Sequence, residues 1–98
     1  MNANGIRETI GRAAPELKAA GLSALYLFGS QARGDAREDS DIDLAFDVRE
    51  GARFSLLDQG RLQLRLEDIL KVPVDFVSRD GLRPRMRARI EAEMVRLL

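Results

Sequence analysis

Residues 24–48 read ALYLFGSQARGDAREDSDIDLAFDV, and this stretch decides the architecture. Ala24-Leu25-Tyr26-Leu27-Phe28 is a short, almost continuous apolar run, the pattern of a buried strand. Gly29 ends it. From Gly29 to Ser40 the residues are small and polar, and a short helix over Ser30–Arg33 fits the start of the connection. Asp41 to Val48 then alternates, with Ile42, Leu44, Phe46 and Val48 on one side and Asp41, Asp43, Ala45 and Asp47 on the other. That period of two predicts a half-buried strand, and Gly51 breaks it.

Outward from these strands the signals become helical, which predicts an α/β (α+β) layer architecture. Ile6, Ile10 and Ala13/Ala14 share one helical face, so a first helix is expected over residues 3–13. Pro15 fits the first turn of a second short helix running to Ala20, with Gly21 as its stop. On the C-terminal side, Ser55 and Asp58 have the spacing of a capping box, and Leu62, Leu66, Ile69 and Leu70 form the stripe of the helix that follows. Val72–Val77 is a further strand, with Pro73 tolerated near its start. A last helix is expected from Leu82–Pro84 onward, with Met86, Ile90, Met94 and Leu97 as its core stripe.

The composition narrows the chemistry. The 98 residues suit one domain, residues 1–98, and 45% hydrophobic with 33% charged residues is globular rather than disordered. There is no cysteine and no histidine, which removes disulfides, thiolate metal sites, a thiol nucleophile and the commonest general base. Sixteen basic residues balance sixteen acidic ones, which speaks against nucleic acid as a direct partner. No signal peptide or membrane span is legible, so a soluble cytoplasmic protein is expected. Catalysis, if present, must run on carboxylates, arginines, hydroxyls or a hard cation held through oxygen.

The residues suited to that chemistry are Asp41, Asp43 and Asp75. Asp41 and Asp43 stand two apart on a strand, so both carboxylates leave the same face. Aspartate is a poor strand former and like charges repel, two objections that a bound divalent cation removes. Asp75 lies in the apolar strand VPVDFV and joins the same face if that strand pairs beside Asp41–Asp43. Three converging carboxylates can hold two magnesium ions about 3.5–4 Å apart, the clamp used in phosphoryl transfer. Gly29 lets backbone approach a ligand, the N–H groups that follow face an anion, and Ser30 adds a hydroxyl. Ser30 also suits a helix N-cap. Arg33 fits either pairing with the acidic loop or contact with a nucleotide, and the basic run Arg79–Arg89 fits a docking surface or a solvated helix face.

Gly29-Ser30, ten residues, then Asp41-Ile42-Asp43, within FGSQARGDAREDSDIDLAF, resembles the nucleotidyltransferase domain of the DNA polymerase β superfamily. The short chain and its flanks look like the minimal nucleotidyltransferases (MNT), the antitoxin halves of HEPN–MNT toxin–antitoxin pairs. KVPVDFV looks like the third-carboxylate strand and RPRMRARIEAEMVRLL like the closing helix. The resemblance implies a small mixed sheet of about three or four strands flanked by helices. It implies transfer of AMP from ATP with release of pyrophosphate. Gly29 and Ser30 would hold the triphosphate, and Asp41 and Asp43 would coordinate two Mg2+ ions. Asp75 would complete one metal site and help deprotonate the acceptor, a tyrosine hydroxyl on a HEPN RNase toxin. Two other readings stay open: an antitoxin that works by occupancy without chemistry, and a nucleotidyltransferase whose acceptor is RNA or a small molecule.

Overall fold

A computed structural model describes residues 2–37 and 40–98. In chain order the elements are α1 (Ala3–Ala19), β1 (Leu22–Phe28), α2 (Ser30–Arg33), β2 (Ile42–Val48), α3 (Leu56–Leu70) and β3 (Val74–Ser78). A 3-10 turn (Arg79–Gly81), α4 (Pro84–Glu93) and β4 (Val95–Arg96) complete the chain. The four strands form one mixed sheet in the order β3-β2-β1-β4. β1 is antiparallel to both β2 and β4, and β2 runs parallel to β3. Among the described residues, no helix is long and apolar enough to cross a membrane.

α1 corrects the expected break at Pro15: it is a single helix of 17 residues with the proline inside it. Asn2 opens it by accepting the Gly5 N–H at 2.9 Å. An interior proline costs about 3 kcal/mol of helix stability. Ile6, Ile10 and Leu17 are fully buried on one face of the continuous helix, at about 1.5–3 kcal/mol each. Packing wins.

α1 and α3 cover one side of the sheet. Ile6, Ile10 and Leu17 meet Leu62, Leu66 and Leu70 over Leu25, Leu27, Ile42, Leu44 and Phe46. Phe46 anchors this layer, stacked on Phe76 at 4.4 Å between ring centroids. Ser55 and Asp58 form the capping box that the sequence predicts. α3 also seals the sheet's outer edge. Gln59 and Gln63 donate side-chain amides to the carbonyls of Phe76 and Val74, both at 3.1 Å, and Glu67 accepts the Val74 N–H at 2.9 Å. One helix face thus occupies backbone groups that an open edge strand would offer to another chain.

The opposite side of the sheet is more thinly covered. Ala24, Tyr26 and Ala45 pack there with Phe28, Val77 and Met94. The C-terminus departs from the expected helix. α4 stops at Glu93, Met94 is extended, and β4 pairs with Tyr26 and Leu27 of β1. The Leu97 N–H then donates to the Leu25 carbonyl at 2.8 Å. Met94 and Leu97 do reach the interior, but on opposite sides of the sheet. Met86 is 54% exposed. The spacing of Met94 and Leu97 suits a helix, but the vacant edge of β1 supplies hydrogen-bond partners that a helix end would lack.

Candidate active site

The strand register assembles the site. Asp43 on β2 lies opposite Phe28 on β1 and Asp75 on β3. Ile42 and Leu44 point into the helix-covered core, so Asp43 emerges on the thinly covered side. Val74 and Phe76 do the same for Asp75 on β3. The two carboxylates therefore leave the same face of adjacent parallel strands, whose spacing is about 4.8 Å. Asp43 is half-buried and Asp75 exposed.

Gly29 immediately follows Phe28 and has φ 73°, ψ −153°, a conformation reserved for glycine. A Cβ there would collide with Asp43 Oδ2, so the glycine is what lets the chain turn against the carboxylate. α2 starts at once, with Ser30 its first residue, and ends at Gly34, whose N–H donates to the Ser30 carbonyl. Gly29, Ser30, Asp43 and Asp75 line a cleft of about 440 Å3, with Arg89 and Glu93 of α4 closing one wall. A larger hollow of about 800 Å3 lies beside the start of α1, and among the described residues no carboxylate lines it.

Burial pushes the Asp43 carboxyl above its ordinary value, and the like charges of Asp75 and Asp41 push it further. Arg33 opposes the rise and Glu93 adds to it. Asp41 stands just before β2 and is exposed, close enough to be felt by Asp43 but not held by the sheet. Among the described residues, no three acidic side chains converge as a ready-made metal cage. The donor set nonetheless fits magnesium. It is all oxygen, and a divalent cation would offset the repulsion that raises Asp43.

A sequence profile of the nucleotidyltransferase domain matches residues 10–97. This chain belongs to the nucleotidyltransferase family. A Methanocaldococcus jannaschii protein that carries a protein adenylyltransferase name is 38% identical over 98 residues, 100% of both chains. A solved structure described as a minimal nucleotidyltransferase is 41% identical, covers 97% of this chain and 95% of that one, and superimposes with a TM-score of 0.81. The same fold occurs in a complex of a tri-AMPylated Shewanella oneidensis HEPN toxin with its MNT antitoxin. That chain is 19% identical, with 95% of this chain and 71% of that one covered and a TM-score of 0.69.

Within this nucleotidyltransferase the structure adds partners that the sequence did not reveal. Glu93 accepts the Gly29 N–H at 3.2 Å and pairs with Arg33 at 3.3 Å. It lies 64 residues from Gly29, and no motif spacing connects them. Arg33, ambiguous in the sequence, pairs with both Asp35 and Glu93. The basic run divides. Arg79 holds Asp47 at 2.8 Å and lies 5.2 Å from the centre of the Tyr26 ring, whose hydroxyl donates to Asp47 at 3.3 Å. Arg87 pairs with Glu91 at 2.7 Å. Those two arginines fasten the turn after β3 and α4, while Arg89 faces the cleft.

Proposed function

We propose that residues 1–98 act as a single minimal nucleotidyltransferase domain. It transfers AMP from ATP to a tyrosine hydroxyl of a HEPN-type helical toxin and so serves as that toxin's antitoxin in the cytoplasm. The observation that carries this reading is the pairing of Asp43 with Asp75 beside Gly29. Two carboxylates side by side, with a glycine turn pressed against one of them, suit a metal-bound polyphosphate better than they suit stability. The adenylyltransferase name of the full-length relative and the AMPylated toxin bound to an MNT antitoxin support the donor and the class of acceptor.

In the transfer, the acceptor oxygen bonds to the α-phosphorus, the bond to the β-phosphate oxygen breaks, and pyrophosphate leaves. Asp41, Asp43 and Asp75 would hold the two magnesium ions, which supply charge neutralisation for the phosphates. Gly29 N–H and the Ser30 hydroxyl orient the triphosphate tail. Asp75, the exposed member of the pair, takes the acceptor's proton. Asp43, half-buried between Phe28 and Asp75, keeps its carboxylate in one place because Gly29 packs against it.

The test is label transfer from α-labelled ATP with magnesium, using the chain and a co-expressed partner toxin. Wild type should label the toxin, and Asp41→Asn/Asp43→Asn should not. A Tyr→Phe toxin that still accepts label would remove tyrosine as the acceptor. A toxin bound and silenced with no label transferred would replace chemistry by occupancy.

A further inference from the structure

The Gly29 N–H and the Arg33 guanidinium are donors at the cleft that suit a phosphate, and both are already taken. Oε1 of Glu93 accepts the Gly29 N–H at 3.2 Å, and Arg33 Nη1 donates to both Glu93 oxygens at 3.3 Å. A carboxylate that bridges a backbone amide and a guanidinium presents what a phosphate would present there, negative charge on two oxygens. The arrangement also places an acid in the cleft with Asp43, which already feels the charges of Asp75 and Asp41, so a further negative charge there is unfavourable. Filling those two donors is the compensation that the structure shows.

The carboxylate sits at the end of its helix and partly in solvent. Glu93 is the last residue of α4, Met94 after it is already extended, and the Glu93 side chain keeps 26% of its surface in solvent. α4 is fastened further back, where Glu91 meets Arg79 and Arg87. The buried anchor of the helix is Ile90, one turn back from Glu93, so the two Glu93 contacts are separate from the packing that holds α4.

We propose that Glu93 occupies the phosphate seat of the nucleotide-free protein, so that a triphosphate binds by displacing this carboxylate from Gly29 and Arg33. The inference rests on Gly29 as part of the triphosphate site. It makes the last turn of α4 a gate selective for phosphate, because a ligand without phosphates cannot replace the two interactions it breaks. The exchange is ion pair for ion pair, so the gate taxes affinity rather than blocking entry.

The experiment titrates the full chain, in magnesium buffer, with a non-hydrolysable ATP analogue and separately with adenosine. The proteins are wild type, Glu93→Ala, Glu93→Asp and Asp43→Asn. Glu93→Asp keeps the charge but is one methylene too short to reach Gly29, which separates contact from field. Both Glu93 variants should bind the triphosphate about tenfold tighter, the scale of one charge-assisted hydrogen bond, with adenosine unchanged. Triphosphate affinity that is unchanged or weaker in both variants, while Asp43→Asn still weakens it, makes Glu93 a structural support and overturns the gate alone. Triphosphate binding indifferent to Asp43→Asn and to magnesium removes the site itself, and the gate with it. A second readout needs no variant. In wild type, the carbon-13 resonance of the Glu93 side-chain carboxyl should move on adding inorganic triphosphate but not adenosine, and a fixed resonance overturns the displacement.

Discussion

Replacing Asp43 by asparagine should make the metal-free protein more stable while removing transfer. Asp43 keeps its shape in this change but loses a half-buried charge that faces Asp75 across one strand spacing and feels Asp41 and Glu93 as well. Taking the carboxylates of adjacent strands as roughly 6 Å apart, Coulomb's law yields about 3 kcal/mol at an effective dielectric of about 20 and about 0.7 kcal/mol in bulk water. Asp75 is exposed, so solvent screening favours the lower end, and about 1 kcal/mol is the working figure. For a domain of this size that corresponds to a rise in Tm of about 4–8 °C. The assay is thermal unfolding with EDTA at pH 7. Magnesium should then narrow the gap by stabilising wild type alone. The pH dependence has a definite sign. The folded-state pKa of Asp43 is raised, so its ionised form destabilises the fold at neutral pH, and that penalty fades as pH falls through the raised value toward 3.8, the ordinary value. The advantage of the asparagine variant should shrink over the same window. An Asp43→Asn protein that melts at or below wild type in EDTA would mean that repulsion at Asp43 does not destabilise the fold.

Two other variants probe the surroundings. Gly29→Ala forces an L-residue into φ 73° and drives its Cβ onto Asp43 Oδ2, so a loss of about 1–3 kcal/mol and loss of nucleotide binding are expected; wild-type melting and affinity would contradict the close approach. Gln59→Ala/Gln63→Ala opens the carbonyls of Phe76 and Val74 on the β3 edge, which should appear in sedimentation as concentration-dependent self-association; a monomer at every concentration would mean that the two amides do not guard the edge.

The local grammar of the chain was legible wherever it was short-range. Hydrophobic alternation over Ile42–Val48, the Ser55–Asp58 capping box, α2 over Ser30–Arg33 and the glycine at the end of β1 all follow from neighbouring residues. The family was legible too, because Gly29-Ser30 and Asp41-Ile42-Asp43 lie within one turn–strand unit. Sequence and structure diverge where distant packing outweighs local preference. Pro15 reads as a helix start, yet Leu17 must reach the same core as Ile6 and Ile10. Met94 and Leu97 read as helix, yet the open edge of β1 takes the chain as β4.

The sequence by itself specified strands β1 to β3 and the helical character of α1 to α4, the oxygen-only chemistry and the candidate carboxylates, since propensity, periodicity and side-chain identity are properties of a chain segment. Tertiary structure alone decided that Asp75 lies beside Asp43, that Arg79 fastens Asp47, and that Glu93 closes on Gly29 and Arg33. Those contacts join residues tens of positions apart. Their partners are chosen by strand register and by which helix covers which face, and a linear spacing does not encode either.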